Sequence, residues 1–235
     1  MRSDPWPSLG NWWLEELSGD PAYEEEVYPL LLDLLAPTEG DLILDIGCGD
    51  GRLMAQLAGI GARVVGCDFN RLLLSRARSE GPVVVAKLPQ MTWARPGSFD
   101  KALVGLVLEH LPDERDFFEQ AAAVVRRGGV MAMVINHPVW TAPRSSPMED
   151  SSGETLWRPG VYFGRGHSDE PAGRKTVRFY HRTMADLLNA ASAAGWDLER
   201  LEERGISPAQ VGRYPDYAGQ EHIPRLLGAM WRRST

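Results

Sequence analysis

The sequence predicts an α/β protein in which helices cover both faces of a mostly parallel β-sheet. Two observations carry this prediction. From residue 41 to about residue 135, short and nearly continuous apolar segments alternate with amphipathic ones, as expected for strands that are buried on both faces. Glycines close the first apolar segment, where a strand must turn sharply into a helix. The 235 residues suffice for one such domain with a substantial core.

The elements are then expected in a regular order. Residues 1–20 form a loop-like arm with three tryptophans, and a helix follows over residues 22–35, kinked or restarted at Pro29. Strands are predicted at residues 42–46, 63–67, 82–86, 99–108, 129–135 and 196–203, and an apolar patch at 226–231 is expected to close the sheet as an edge strand. Helices are predicted at residues 52–58, 71–78, 113–126 and 183–194.

The regular alternation of strands and helices ends after the fifth strand. Residues 136–177 are rich in Pro, Gly, Ser and Arg but also contain aromatic residues, among them Trp140, Trp157, Tyr162 and Phe163. A connection of this length is usually functional or disordered, and the aromatic residues favour a functional lid. We therefore predict a single domain over residues 1–235, with an N-terminal helical cap at 1–40 and an inserted substrate lid at 136–180.

Composition and charge restrict the function. The formal net charge is −7, whereas proteins that neutralise nucleic-acid phosphates normally carry a basic surplus. Cys48 and Cys67 have neither the spacing of a disulfide framework nor that of a metal site. The first residues lack the apolar segment of a signal peptide, and no apolar run approaches the roughly 20 residues of a membrane helix. We expect a cytoplasmic protein without metal, nucleic-acid or membrane partners.

The most informative stretch is LILDIGCGDG, residues 42–51, in which three glycines at every second position follow the first strand. A phosphate-binding P-loop requires a lysine after its last glycine, and none follows here. A dinucleotide fingerprint requires G-x-G-x-x-G, but Arg52 stands three residues after Gly49. Asp45 and Asp50 would repel phosphate in either case. Binding of a dinucleotide to this loop is the alternative hypothesis.

S-adenosylmethionine suits these residues better, because it has no phosphate and carries a sulfonium and an ammonium that carboxylates attract. Asp68 closes the second strand, where a ribose diol would lie if the cofactor crosses the sheet. Hydrogen bonds from sugar hydroxyls to this carboxylate would each contribute roughly 1.5–3 kcal/mol. The alternative is that Asp68 only caps the next helix.

At this point the sequence resembles the class I S-adenosylmethionine-dependent methyltransferases, especially their small-molecule branch. The resemblance extends from about residue 23 to 203, and its segments are LDIGCGDG (44–51), GCDFN (66–70), PGSFDKALVGLVLEHLPD (96–113), RRGGVMAMVINHP (126–138) and YHRTMADLLNAASAAGW (180–196). It implies a Rossmann-like, seven-stranded sheet ordered 3-2-1-4-5-7-6 with the seventh strand antiparallel. It also implies S-adenosylmethionine as cofactor and S-adenosylhomocysteine as product.

The resemblance also assigns residues to the cofactor. The glycines would pass the backbone under its methionine part, with Asp45 orienting the loop or the ammonium, while Asp68 takes the ribose, Phe69 flanks the adenine and Leu106 lies near the sulfonium. The chain has Lys87 where similar proteins carry an acidic residue for the adenine amino group, so backbone groups there would read the adenine. The full set is Asp45, Gly47, Cys48, Gly49, Asp68, Phe69, Asn70, Lys87, Leu88 and Leu106.

Methyl transfer needs an aligned nucleophile, methyl group and sulfur, and a base only where the acceptor must lose a proton. His110 and His137 follow the fourth and fifth strands and are the candidate bases, with His110 first; either can instead be a structural histidine. Tyr23, Trp140, Tyr162 and His181 are the candidate substrate-binding residues, although Tyr23 can equally start the core of its helix. Glu109 is expected to be structural.

The acceptor is expected to be a small molecule that is methylated on oxygen or nitrogen. Aromatic walls suit a flat or hydrophobic ligand, and three arginines in the lid, Arg144, Arg158 and Arg165, could meet an acidic group on it. Two alternatives stay open: a non-catalytic module that binds S-adenosylmethionine or a protein partner, and a methyltransferase acting on RNA or protein. The cysteines are expected to serve packing.

Overall fold

A computed structural model describes residues 6–19 and 21–235 of the chain. Its strands are β1 Leu42–Ile46, β2 Arg63–Asp68, β3 Val83–Val85, β4 Phe99–Gly105, β5 Val125–Asn136, β6 Ser146–Glu149, β7 Thr155–Arg158, β8 Gly166–Ala172, β9 Lys175–His181, β10 Trp196–Arg204 and β11 Leu226–Arg233. Its α-helices are α1 Gly10–Gly19, α2 Tyr28–Leu35, α3 Arg52–Gly59, α4 Arg71–Ala77, α5 Glu114–Val124, α6 Pro138–Thr141, α7 Met184–Ala193 and α8 Pro208–Arg213.

Seven strands form the central sheet in the order β10-β11-β5-β4-β1-β2-β3. β11 runs antiparallel to both of its neighbours, and the other pairs are parallel. Counting only these seven strands, the order is 3-2-1-4-5-7-6, so the expected fold is confirmed. The expectation that the last apolar patch lies at the edge is wrong. Leu227, Ala229 and Trp231 are buried inside the sheet, and the more charged β10 takes the edge, where unpaired backbone tolerates polar side chains.

Helices bury apolar side chains against both faces of the sheet. On one face Phe117 and Phe118 of α5 pack with Trp196 and Trp231 of the last two strands. On the other face the core contains the apolar stripe of α2 and the inner face of α3. Because both faces are covered, the ligand-binding edge of the sheet lies at the carboxyl ends of the parallel strands, where β1, β2 and β4 turn into loops.

The segment before β1 is more helical than the sequence indicated. The arm, predicted to be loop-like, contains α1, and Leu9 just before it packs with Ala172 and Val177 of the β8–β9 hairpin. These tertiary contacts compensate for the weak intrinsic preference of the arm for helix. After it comes a π-helical turn, Tyr23–Val27, and α2 then starts with Pro29 in its first turn. The prediction of a restart at that proline is confirmed. Residues 1–5 and 20 of the expected cap lie outside the described residues.

The segment predicted to be an irregular lid contains two antiparallel hairpins, β6–β7 and β8–β9. Their strands carry glycine, proline and charged residues, which conceal the usual alternation. β5 also begins at Val125, earlier than expected, because a bulge opposite Phe99 and Lys101 accommodates Gly128 and Gly129. None of the described helices is long and apolar enough to cross a membrane.

Candidate functional site

The glycine loop between β1 and α3 is built for close backbone approach. Gly47, Gly49 and Gly51 all have positive φ, at 78°, 54° and 87°. A Cβ at Gly47 would lie 2.4 Å from a methyl carbon of Val107, so no other residue fits there without moving that neighbour. The amides of Gly47 and Cys48 donate to the carbonyl oxygen of Cys67 at the end of β2. The loop is thereby fixed across the ends of two strands.

Asp68 lies at the end of β2, beside this loop. Its two carboxylate oxygens accept hydrogen bonds from the backbone amides of Gly49 at 3.2 Å and Asn70 at 2.8 Å. Each oxygen keeps a second lone pair for a ligand hydroxyl. The cap of α4 is Asn70, whose Oδ1 accepts from the amides of Leu72 and Leu73. Asp68 is therefore not the helix cap, and this alternative is wrong.

Asp45 lies beneath the loop, within β1, and only 4% of its surface is exposed. Burial, with a smaller contribution from Asp68, raises the pKa of Asp45 to about 7. Burial also raises the pKa of Asp68 itself. Two carboxyl groups that are costly to ionise favour a ligand with positive charge, and they oppose phosphate.

A cavity of about 1120 Å³ lies over the glycine loop. Its lining residues come from the loop, from the ends of β2 and β4, from the arm and from the β8–β9 hairpin. Eight of the ten residues expected at the cofactor line it: Gly47, Gly49, Asp68, Phe69, Asn70, Lys87, Leu88 and Leu106. The side chain of Asn70 is committed to its helix and to the carbonyl oxygen of Trp6. Asp68 is thus the polar side chain of β2 that remains available to a ligand.

The remaining two of the ten are not part of that lining. Asp45 lies below it in the sheet. Cys48 is buried, and its Sγ packs over Gly66, since a Cβ there would come within 2.6 Å of the sulfur. Burial raises the pKa of the Cys48 thiol. The assignment of the Cys48 side chain to the cofactor is therefore corrected to a packing role, which the residue types alone had indicated.

A second, smaller chamber of about 170 Å³ adjoins the large cavity. The two share Trp6, Trp13, Leu106, His110 and Pro171 as lining residues. The small chamber is mainly aromatic, and its further lining residues are Trp12, Tyr23, Asn136, Glu170, Val177 and Phe179. We refer to it below as the aromatic chamber.

His110 stands between the two cavities, in a 3₁₀ turn that follows β4. Its Nδ1 lies 3.0 Å from the carbonyl oxygen of Arg178 in β9. A carbonyl oxygen only accepts, so Nδ1 carries the proton and the lone pair of the neutral ring is on Nε2. The ring also makes edge contacts with Trp6 and Phe179. His110 is thereby oriented by both walls of the chamber.

Arg182, directly after β9, ties the hairpin to the turn that carries His110. It is 5% exposed, donates to the carbonyl oxygens of Leu108 and Leu111, and pairs with Glu114 at 2.9 Å. Glu114 is itself buried and also accepts from Arg165. Such a buried, fully bonded arginine resists displacement, because breaking the pair would leave an uncompensated charge.

His137 does not lie at either cavity and is corrected to a structural role. Its Nδ1 accepts from the amide of Val139 and caps α6, and its Nε2 donates to Glu203 at 2.9 Å. Burial lowers the pKa of His137, against the opposing effect of Glu203. Glu109 is structural as expected, since its Oε1 accepts from the backbone and side chain of Asn136.

Three predicted substrate residues are likewise absent from the described lining of both cavities. Trp140 stacks on Trp157 with ring centroids 4.4 Å apart. The hydroxyl of Tyr162 accepts from the amide of Met184, and the Tyr162 carbonyl oxygen accepts from His181. Burial lowers the pKa of His181. These side chains hold a small subdomain together, so their aromatic character reflects packing. Tyr23, by contrast, lines the aromatic chamber.

The lid arginines are corrected in the same way. Arg165 pairs with Glu114 and Asp186, and Arg144 and Arg158 are not among the described lining residues of either cavity. The basic residues at the large cavity are instead Lys87, Arg174, Lys175 and Arg178. The sequence offered one signal for this: AGRKT, residues 172–176, is a hairpin turn with two cations. Tryptophans in the arm were a second signal: Trp6 and Trp13 line both cavities, and Trp12 lines the aromatic chamber.

The residues at the large cavity fit S-adenosylmethionine. The glycines of the loop allow a ligand to lie directly against the backbone. The Asp68 carboxylate can accept hydrogen bonds from ribose hydroxyls, and the acidic residues oppose a phosphate-bearing ligand. Among the described residues no cluster of three His, Cys, Asp or Glu could hold a metal ion. Sheet order and site together define a Rossmann-like methyltransferase fold.

Comparison with known proteins agrees with this class. Residues 44–133 match the model of the "Methyltransferase domain" family. Curated relatives named "Ubiquinone biosynthesis O-methyltransferase" include those of Thiobacillus denitrificans, 35% identical over 128 residues, and Sodalis glossinidius, 33% identical over 129 residues. These matches cover 50% of this chain and 54% and 51% of the relatives. The matched region thus spans about half the length of the curated relatives.

Solved structures match over more of the chain. An S-adenosylmethionine-dependent methyltransferase from Mesorhizobium loti superposes with a TM-score of 0.77 at 29% identity, covering 92% of this chain and 100% of that one. A Burkholderia thailandensis N-methyltransferase with bound S-adenosylhomocysteine has the same fold, with a TM-score of 0.59 at 15% identity and coverages of 94% and 82%. Residues 44–133 thus form a methyltransferase domain, within a chain that has the fold of class I S-adenosylmethionine-dependent methyltransferases. The cofactor of this class is S-adenosylmethionine.

Proposed function

We propose that this protein transfers a methyl group from S-adenosylmethionine to an oxygen or nitrogen atom of a small, flat molecule. The observation that carries the proposal is the aromatic chamber, which shares Leu106 and His110 with the cavity over the glycine loop. A chamber of about 170 Å³ admits a ring-sized group and excludes a folded macromolecule. The name O-methyltransferase of the curated relatives supports oxygen as the receiving atom.

In this proposal the glycine loop and Asp68 hold the cofactor. Gly47 and Gly49 present backbone, while Asp68 accepts from the ribose and Phe69 with Leu88 encloses the adenine. When bound, S-adenosylmethionine supplies a methyl group that is activated by attachment to a positively charged sulfur. Leu106, at φ 52° just past β4, lies between the cofactor cavity and the aromatic chamber. A left-handed, non-glycine residue at this point is maintained by the surrounding structure.

The aromatic chamber orients the acceptor and excludes water. Trp13 and Tyr23 pack edge to face at 5.6 Å, and Phe179 packs on His110 at 4.6 Å. Holding the acceptor in line with the methyl group can supply about 7–11 kcal/mol of the barrier reduction. His110 accepts the acceptor's proton on Nε2, since its Nδ1 proton is held by the hairpin. Proton removal by a positioned base contributes about 10²–10⁴-fold.

We further propose that the arm and the β8–β9 hairpin together form the lid of a single domain. Trp6, Leu9 and Trp12 pack against Val177 and its neighbours in the hairpin, so the two segments would close over the ligands as one layer.

The cytoplasm is the proposed compartment, because both cysteines are free and buried, which suits a reducing environment.

The proposal is tested by screening a metabolite library for acceptor-dependent formation of S-adenosylhomocysteine. Val177→Phe should fill the aromatic chamber and lower turnover about 100-fold or more, while the affinity for S-adenosylmethionine stays within about twofold. Met148→Phe, at an exposed position of the β6–β7 hairpin, is the matched control and should change neither. Methylation of RNA or protein with inert small molecules, or full turnover by Val177→Phe, would refute the proposal.

A further inference from the structure

The large cavity has a positively charged rim. The tip of the β8–β9 hairpin contributes Arg174 and Lys175, and two further cations line the same cavity, whereas the described lining includes only Asp68 and Asp169 as acids. The protein as a whole has a formal net charge of −7. Positive charge is therefore concentrated at this mouth against the sign of the whole molecule, which attracts anions to it.

Local pairing identifies which of these charges remain available. Arg178 is neutralised by Asp169, with two nitrogen–oxygen contacts of 2.8 and 3.1 Å. Lys175 donates to the hydroxyl of Ser8, which is neutral and leaves the ammonium charge uncompensated. For Arg174 the described part of the chain provides no ion pair. The tip of the hairpin thus presents two net positive charges to the cavity.

The same hairpin also walls the aromatic chamber. Pro171, Val177 and Phe179 line the chamber, and Lys175 lies two residues before Val177 in β9. Two residues of extended strand span about 7 Å, which is close to the length of a substituted benzene ring. A molecule whose reacting end lies in the chamber therefore has its other end beside the cations at the tip.

We infer that the methyl acceptor is an anionic molecule whose carboxylate or phosphate binds Arg174 and Lys175 while its ring enters the aromatic chamber. The inference rests on the proposed function, because it names the substrate class of that same site. Arg174 offers a planar fork that suits a two-oxygen anion, and the neighbouring Lys175 adds a point charge at the same cavity. These residues select the acceptor and take no part in methyl transfer itself.

The carboxylate of the cofactor competes with the anionic group of the acceptor for Arg174 and Lys175, and the test distinguishes these two occupants. The probes are 4-hydroxybenzoate, 3,4-dihydroxybenzoate and 4-hydroxyphenyl phosphate, with methyl esters and phenol as neutral counterparts. Their dissociation constants are measured by quenching of tryptophan fluorescence in the presence of S-adenosylhomocysteine, and methyl transfer is followed separately. Arg174→Gln/Lys175→Gln is compared with the parent protein. Arg115→Gln removes one charge from an exposed helix position outside both cavities and is the control.

At least one acid should bind about tenfold more tightly than its neutral counterpart, and the double variant should lose this difference. Arg115→Gln should retain it, and added salt should weaken binding of the acid but not of the neutral probe. Equal binding of acids and neutral probes, or no binding of any acid, overturns the inference. A double variant that loses affinity for S-adenosylhomocysteine alone also overturns it, since the rim then serves the cofactor. If acids bind selectively but no small molecule is ever methylated, the proposed function fails and the anion site stands.

Discussion

The two hairpins of the segment between β5 and α7 both carry aromatic side chains but differ in strand length, four residues against seven, and in position relative to the site. In β6–β7, Trp157 stacks on Trp140 and donates to the carbonyl oxygen of Val139, so its aromatic surface is used within the subdomain. In β8–β9, Phe179 packs on His110, and the Arg178 carbonyl oxygen accepts from the same ring. What makes a hairpin part of a site is the contact with the loop after β4, and aromatic residues by themselves do not indicate it.

The largest expected effect distinguishes His110, which bonds to Arg178 of β9, from His137, which bonds to Glu203 of β10. His110→Gln should lower kcat by about 10²–10⁴-fold with little change in cofactor affinity, because the ring that we propose as the proton acceptor is lost. His137→Ala should leave kcat nearly unchanged but destabilise the protein by about 1–3 kcal/mol, since the cap of α6 and a buried hydrogen bond disappear.

Steady-state kinetics and chemical denaturation measure the two effects. If His110→Gln turns over at the parent rate, His110 takes no part in the chemistry. If His137→Ala is slow but stable, the roles assigned to His110 and His137 are reversed. The comparison of the hairpins would then lose its functional meaning, because contact with His110 would no longer mark the site.

A smaller effect should distinguish the hairpins directly. Phe179→Leu removes an aromatic wall of the chamber and should raise KM for the acceptor about tenfold, while the midpoint of unfolding changes little. Trp157→Leu should lower stability by about 1–2 kcal/mol through the lost stack on Trp140, with KM unchanged. If Trp157→Leu alone raises KM, the β6–β7 hairpin belongs to the acceptor site after all.

A pH-dependent effect concerns Asp45, which lies in the central sheet and belongs to neither hairpin. Burial raises its folded pKa to about 7, above the value of about 3.9 for an unfolded chain. The folded protein therefore binds the extra proton between these values, and the contribution of Asp45 to the free energy of unfolding falls as pH rises from about 4 to about 7.

Asp45→Asn removes this dependence, so the ligand-free variant should gain Tm relative to the parent at about pH 8 and gain little at about pH 4.5. Differential scanning calorimetry at both values measures the change. An equal shift at the two values would mean that Asp45 titrates normally in the folded protein.

The sequence predictions succeeded where the cause of a structure is local and failed where it is tertiary. The glycine loop, Asp68 and the strand order were predictable, because turns, periodicity and family motifs are local patterns. The roles of Trp140, Tyr162 and His137 were not, because an aromatic or histidine side chain has the same appearance in sequence whether it meets a ligand or a neighbouring side chain. The segment AGRKT was visible in the sequence, but the position of Arg174 and Lys175 at the large cavity followed only from the pairing of β8 with β9 and its packing over the site.

The place of β11 in the sheet has a consequence for how the chain folds. It pairs Leu226 with Asn136 and Arg204, so the strand that completes the sheet comes last of the seven in sequence. Until it is synthesised, β5 presents an apolar edge without its partner, and Phe118 lacks the Trp231 ring that packs on it. Non-local pairing of this kind slows folding and leaves an edge open to aggregation. During translation the glycine loop and its cavity would thus depend on a strand that leaves the ribosome after every residue that lines them.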